Sequence, residues 1–301
     1  MDSIDELNTK FGAPGRIVFR TGHCGYPEAV LANKYGSAEV ALAGGVVLSY
    51  RPTGSHPVIF RPERRDYALG EKIHGGIPIC WPQFSKGAIE GMCPHGFAQF
   101  MTFEVRGSRY GEESTELTLG LSSSDETRSA WPHEFDLELR VVLSMKLNLF
   151  LKTTNTGSAP FGFTAAFHPY FLVRDVEKVA VKGLDGRDYT DGRDMSRARQ
   201  SGDFSAAGGC DHIFELAPAP KHEAAILDSG LKRAIAVASS GNGVFTVWNP
   251  NTASVMSDHT ADDWKSFLCV EPCTAWRRPL TELNPGESSE LAMAVQSVME
   301  S

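Results

Sequence analysis

Hydrophobic positions along this chain fall in short runs, and most of the runs alternate. Leu137-Glu138-Leu139-Arg140-Val141 sets an apolar side chain at every second position, the period of a half-buried strand. Similar runs occupy 40–50, 117–121, 235–238, 244–248 and 291–298, and the run from Leu137 continues to Leu151. Gly, Pro, Asn and Asp separate them; Asn155-Thr156-Gly157 and Asn284-Pro285-Gly286 read as turns. Helical periodicity is scarce. The best candidate is 257–267, with a Ser/Asp cluster at its start that could cap it. Many strands without interleaved helices predict an all-β sandwich or barrel, not an α/β sheet. No fixed-period repeat suggests a propeller, and no Gly-rich phosphate loop follows a strand.

Composition sharpens this picture. At 301 residues, with 42% hydrophobic and 22% charged positions, the chain can bury a large core. No Pro/Ser-rich linker divides it, so one domain over 1–301 is expected. The Gly/Arg/Asp-rich stretch 183–209 reads as long loops between strands, near the site. Net charge is −8 with both signs interspersed, which argues against nucleic acid or a membrane surface as a partner. The acidic start Met1-Asp2-Ser3-Ile4-Asp5-Glu6 lacks the cationic and apolar regions of a secretory signal, and no run has transmembrane length. A cytoplasmic protein is expected, with its six scattered cysteines reduced. Cys269 and Cys273 have no matching Cys/His knuckle elsewhere, so no metal is expected.

Two segments carry the strongest chemical signal: Phe167-His168-Pro169-Tyr170-Phe171 and Val270-Glu271-Pro272-Cys273. Each sets one titratable side chain among apolar neighbours. A buried bare carboxylate is costly, so Glu271 must be paired, hydrogen-bonded or facing a polar cavity. Held together in a dry pocket, an imidazole and a carboxylate form a general acid–base pair. A histidine in an apolar run is also commonly a satisfied core residue. The loop from Ile73 to Phe84 joins paired glycines, prolines and two flat aromatics, Trp81 and Phe84. It suits the face of a sugar ring, and equally a loop that packs its aromatics into the core. His95, before Gly96, can reach a cavity or cap a turn. Asp211 lies at the edge of another apolar run.

Together these motifs resemble the aldose 1-epimerase (galactose mutarotase-like) superfamily, nearest its glucose-6-phosphate 1-epimerase branch. The matching segments are GGIPICWPQF (75–84), HGFA (95–98), ETRSAWPHEF (126–135), FHPYF (167–171), DHIF (211–214), VWNP (247–250) and FLCVEP (267–272), in that order along the chain. The resemblance implies a β-supersandwich of large, mostly antiparallel sheets with a substrate cleft on a concave face. It implies His168 as general acid at the ring oxygen and Glu271 as general base at the anomeric hydroxyl. His95 would contact the sugar and Asp211 would bind its hydroxyls; His74, Trp81, Gln83 and Gln99 are further substrate-binding candidates. The reaction is ring opening, rotation about C1–C2 and reclosure, with no cofactor.

The sequence departs from the phosphate-specific branch at two positions. His74 and Gln99 stand where that branch usually has arginine, whose fixed fork binds phosphate oxygens. Arg61, Arg64, Arg65, Lys72 and Lys86 are the nearby cations that could compensate. The expected activity is mutarotation of a hexose 6-phosphate by a monomer. The alternatives are mutarotation of an unphosphorylated aldose, or a catalytically silent sugar-binding protein on the same fold.

Overall fold

The computed structural model describes residues 2–22, 25–62, 71–252, 256 and 258–299. Among them the alternating runs become antiparallel ladders. The longest sheet has nine strands, ordered Phe204–Ser205, Ala180–Lys182, His222–Asp228, Arg233–Ser240, Ser288–Met299, Leu147–Asn155, Phe135–Leu143, Thr115–Ser122 and Glu104–Tyr110. Its inner face is the apolar half of each alternation: Leu117 and Leu119; Leu137, Leu139, Val141 and Leu143; Leu147, Leu149 and Leu151; Ile235 and Val237; and Met293 and Val295 are all buried. A strand exposes successive side chains to opposite faces, so a period of two places one complete set in the core. The runs 40–50 and 137–151 each resolve into two strands joined by a turn. Gly44 and Gly45 make the first turn with positive φ (68° and 61°).

The second large sheet has eight strands. Its main path runs Arg197–Arg199, Asp188–Asp191, Cys210–Glu215, Val244–Asn249, Phe267–Cys273, Ala166–Phe167 and Ile79–Cys80, with Tyr170–Leu172 also paired to Phe267–Cys273. Every residue of Phe267–Cys273 is buried. Leu268 and Val270 join the main core shared with the nine-stranded sheet, whereas Cys269, Glu271 and Cys273 take the opposite face. A four-stranded sheet (Ile17–Thr21, Pro27–Asn33, Gly36–Ala41, Val47–Pro52) and the pair Phe161–Phe163 with Thr281–Leu283 complete the sandwich. The all-β expectation therefore holds.

Among the described residues helix is confined to short pieces, and they are not where the sequence suggested. Within 257–267 the described residues form only a 3-10 turn, Asp263–Ser266, before the chain enters the strand at Phe267; Ser257 lies outside the described residues. Here Asp263 accepts hydrogen bonds from the Thr260 amide and hydroxyl, which favours a local turn over helix propagation. The α-helices are Ile4–Phe11 and Asp125–Ala130, each started by a serine cap, Ser3 and Ser124. The stretch 183–209 is not simply loop: it supplies Asp188–Asp191, Arg197–Arg199 and Phe204–Ser205, short strands at or next to an edge of the two large sheets.

Trp81 corrects the reading of the 73–84 loop as a sugar platform. Its side chain is fully buried in the main core, against Phe97, Trp131, Phe135 and Phe163, and its Nε1 donates to Thr153 Oγ1 at 3.0 Å. A large ring with one polar handle is stable inside when that handle finds an acceptor. Trp81→Ala should lower unfolding free energy by about 3–5 kcal/mol, the scale of a large aromatic truncation in a core. Urea denaturation measures this; a loss below about 1 kcal/mol would put Trp81 outside the core it is assigned to.

Candidate active site

The register of the eight-stranded sheet collects one set of side chains. Glu271 lies opposite Thr246, Cys269 opposite Trp248, and Trp248 opposite Asp211. Partners across an antiparallel ladder share a face, so these residues emerge together, away from the main core. Of these, Asp211, Thr246, Trp248 and Glu271 floor a cleft of about 250 Å³ whose other walls include Lys72, His74, Phe84, Ser85, His95, His168, Tyr170 and Trp276. Tyr170, Thr246 and Trp248 were not singled out from sequence. The strand alternation around Glu271 contains the signal for Thr246, but only through a cross-strand register that one sequence does not display.

His168 and Glu271 meet in this cleft. His168 Nε2 lies 3.4 Å from Glu271 Oε1, and both side chains are nearly inaccessible to solvent. The strand Ala166–Phe167 delivers His168, whose amide donates to Pro78 O at 3.0 Å. Its ring stacks on Tyr170 with centroids 4.9 Å apart, and Trp248 approaches edge-on at 5.8 Å. His168 Nδ1 and Glu271 Oε2 are buried with no protein hydrogen-bond partner among the described residues. Burial pushes the Glu271 carboxyl well up, and Asp211 adds to that push while Lys72 opposes it. Burial pushes the His168 imidazole well down, and the neighbouring His95 ring and Lys72 act in the same direction.

Asp211 enters from the strand Cys210–Glu215. Burial raises its pKa, and the nearby Asp191 carboxylate adds to the effect. Its position depends on the neighbouring chain: Gly192 N donates to Asp211 O at 2.6 Å, and a Cβ on Gly192 would lie 2.4 Å from Asp211 Oδ2. The 183–209 segment thus touches the site through a missing side chain. His74 is anchored by the buried Asp258, which accepts from the His74 amide at 2.8 Å and contacts its Nδ1 at 2.9 Å. Burial pushes the Asp258 carboxyl up, but these bonds prevail and hold it below the ordinary range.

Other sequence candidates fall elsewhere. Gln83 is fully buried and staples its own loop: its amide donates to Met92 O and Cys93 O and accepts from the Ala88 and Ile89 amides. Gln99 is likewise withdrawn from the cleft, donating to Pro94 O at 2.9 Å and Gly96 O at 2.8 Å around the His95 turn. A long polar side chain beside an irregular loop satisfies the carbonyls that no strand partner reaches. Arg61 pairs with Glu39 at 2.8 Å and Glu28 at 3.5 Å, so two carboxylates already compete for its charge. Lys86 is exposed and does not line the cleft. Arg64 and Arg65 lie outside the described residues. Lys72 remains as the lysine in the cleft wall.

His168, Cys269 and Glu271 place three possible metal-ligand atoms within 4.8 Å of one another. Among the described residues Cys80, Cys93, Cys210, Cys269 and Cys273 are unpaired; Cys24 lies outside them. No described helix is long and apolar enough to cross a membrane.

Gly192→Ala tests how Asp211 is placed. The added methyl should displace the Asp211 carboxylate; if Asp211 holds the ligand of this cleft, KM should rise about tenfold, the scale of a lost hydrogen bond to a charged group, with a smaller change in kcat. Steady-state kinetics check this; unchanged KM in a folded variant would show that Asp211 does not hold the substrate.

Comparison with known proteins agrees with this geometry. The aldose 1-epimerase family model matches residues 27–296. A Cenchrus ciliaris protein provisionally named glucose-6-phosphate 1-epimerase is 32% identical over 274 residues, 87% of this chain and 81% of the relative. An Escherichia coli K12 protein with the same provisional name is 30% identical over 264 residues, 86% of each chain. Among solved structures, a provisionally named mutarotase from Salmonella typhimurium superposes with a TM-score of 0.87 at 27% identity, covering 97% of this chain and 96% of that one. A galactose mutarotase-like protein from Clostridium acetobutylicum reaches a TM-score of 0.72 at 16% identity over 94% and 98% of the two chains, a likeness of fold. With a match of that breadth over the sheets that build the cleft, the chain belongs to the aldose 1-epimerase family.

Proposed function

We propose that this protein interconverts the α and β anomers of a hexose 6-phosphate, with His168 as general acid and Glu271 as general base. The observation that carries the reading is the buried His168–Glu271 pair, 3.4 Å apart on the floor of the cleft. Glu271 takes the proton from the C1 hydroxyl while His168 gives a proton to the ring oxygen. The C1–O5 bond breaks and C1 becomes an aldehyde. After rotation about C1–C2, the O5 hydroxyl attacks the other carbonyl face; His168 recovers its proton and Glu271 returns one to O1. No electrons are transferred overall, so the reaction has no call for a redox partner.

The environment suits this cycle. Before ring opening the pair is carboxylate and imidazolium; after it, the pair is neutral carboxyl and neutral imidazole. Burial disfavours both charges, which is the direction in which each pKa is pushed. A dry cleft therefore stabilises the open-chain stage relative to the ring-closed one. Glu271→Gln keeps the shape but cannot accept the proton. It should reduce anomerisation by about 10²–10⁴-fold, measured by magnetisation-exchange NMR. A folded variant retaining more than about a tenth of the rate would remove Glu271 as the base.

The pH dependence follows from counting protons on the pair. Both working states carry one proton. A second proton gives carboxyl plus imidazolium, a net positive charge; loss of the shared proton gives carboxylate plus imidazole, a net negative charge. Burial opposes both, so it moves the acid limb down and the alkaline limb up. The rate should be bell-shaped with a wide plateau, its acid limb below the ordinary imidazole value of about 6.5. An acid limb centred above about 6.5, or a profile with a single limb, would contradict a coupled pair.

The phosphate assignment draws on the names of the relatives and on Lys72 in the cleft wall. The competing substrate is an unphosphorylated aldose, favoured by Gln99 being tied to its own loop where the phosphate-specific branch carries arginine. Initial-rate kcat/KM on glucose 6-phosphate and glucose, at low and high salt, separates the two. Phosphate recognition gives a preference for the phosphorylated sugar that weakens with salt. A ratio near one at low salt assigns the free aldose instead. Within this reading the protein acts as a single-domain cytoplasmic monomer on a small sugar, with no cofactor and no nucleic acid partner.

A further inference from the structure

Three imidazoles border the cleft, those of His74, His95 and His168, and ring opening needs one acid. We propose that the Cys80 thiol fixes His95 as the tautomer protonated on Nε2, so that His95 meets the sugar as a neutral hydrogen-bond donor and proton delivery is left to His168. This rests on the mutarotase reading of the cleft, but it concerns a residue behind the cleft wall that the reading itself does not use.

Cys80 Sγ lies 3.2 Å from His95 Nδ1. Two arrangements fit that contact. Either the thiol donates to an unprotonated Nδ1, or an Nδ1 proton points at sulfur. Neutral imidazole nitrogen is a good acceptor and thiol sulfur a weak one, so the first arrangement is stronger. The surroundings of the thiol favour it too. Cys80 is almost completely buried and packs in an apolar cluster with Phe84, Ala166, Ile213, Val244 and Cys273. Among the described residues, His95 Nδ1 is its hydrogen-bond partner. Burial also raises the thiol pKa, keeping the sulfur protonated as a donor. The imidazole is pushed down to about 3, first by burial and then by Lys72 and His74, so it is neutral at ordinary pH.

The backbone holds the ring in this relation. His95 sits at positive φ (64°), its amide donates to Ser85 O at 2.7 Å, and its carbonyl accepts from Trp81 N at 3.1 Å. Gln99 clamps the carbonyls on either side of it, Pro94 O and Gly96 O. The next residue must be glycine, because a Cβ on Gly96 would lie 2.1 Å from Trp81 O. The His95 ring is 5.5 Å from Phe84 and 5.4 Å from His168, centroid to centroid. With Nδ1 engaged, Nε2 is the nitrogen left for a ligand. His168 has no comparable lock: its Nε2 faces Glu271 and can gain or lose a proton there. Cys80 is thus a positioning residue that acts through His95.

The test reads the tautomer directly. In ¹⁵N-labelled enzyme, long-range ¹H–¹⁵N correlations should show His95 as the neutral Nε2–H form, assigned by loss of the signal in His95→Asn. Cys80→Ala should abolish that single-tautomer pattern and lower kcat/KM for glucose 6-phosphate by about five- to tenfold, the scale of one neutral hydrogen bond. Cys80→Ser, which keeps an X–H donor, should restore the Nε2–H form and most of the kinetics. A wild-type spectrum with the proton on Nδ1 overturns the proposal, as does Cys80→Ala with wild-type tautomer and rate, or a serine variant no better than alanine. The wild-type spectrum needs no turnover, so this outcome is separable from failure of the mutarotase reading, which would appear as absent anomerisation.

Discussion

The site depends on the strand Phe267–Cys273 having no face open to bulk solvent. One face packs Leu268 and Val270 into the core shared with the nine-stranded sheet. The other turns Cys269, Glu271 and Cys273 toward the cleft and the loops around it, and all seven residues are buried. A carboxylate on such a strand cannot be a solvated surface group. It must share a proton, accept hydrogen bonds or shift its pKa. The cross-strand register then decides its company: Thr246 and Trp248 come to the same face, and His168 arrives from the neighbouring short strand to face Glu271.

In the proposed mechanism, the dryness that makes Glu271 costly to ionise also makes it useful. A His–Glu pair in water would rest as imidazolium and carboxylate. Inside the cleft, burial pushes both groups toward neutrality, the state that the proposed cycle reaches with the sugar ring open. Lys72 opposes the shift at Glu271 and reinforces it at His168, so one side-chain cation in the cleft wall acts on both members of the pair. Asp211 acts in the reverse sense on Glu271. Affinity for an anionic substrate and the proton balance of the pair are therefore coupled through the same potential.

The loops that close the cleft are held by polar side chains turned inward onto backbone. Gln83 and Gln99 spend their amides on main-chain groups between Ala88 and Gly96, and Asp258 grips the main chain and ring of His74. Such bonds do what ladder pairing does for strands: they satisfy buried donors and acceptors where the path is irregular. Trp81 supports the same loop from below, filling core volume while its amide bonds to His95 O. Residues that look like ligand contacts in a motif thus serve as its foundations, and the groups they hold, His74 and His95, face the cleft.

Much of this was legible in the order of residues. Alternation at Leu117–Leu121, 137–151 and 291–298 specified half-buried antiparallel strands, because a period of two admits one buried face. The cost of burying a lone carboxylate marked Glu271, and the apolar setting of His168 marked its partner. What sequence could not supply was register and side-chain direction. Nothing local distinguishes a tryptophan that stacks on a sugar from one that fills a core, and Trp81 took the second role because its indole N–H found Thr153 across the fold. Gln99 was drawn away from the cleft by carbonyls of an irregular turn, and Arg61 by two carboxylates on another sheet. The helix expected at 257–267 gave way to a turn stapled by Asp263 and to the long-range pairing of Phe267–Cys273. Gly192 showed no chemistry in the chain, and its importance appears only where a neighbouring strand brings Asp211 against it. Short-range periodicity determined the elements; contacts between residues far apart in the chain decided which polar groups face the substrate.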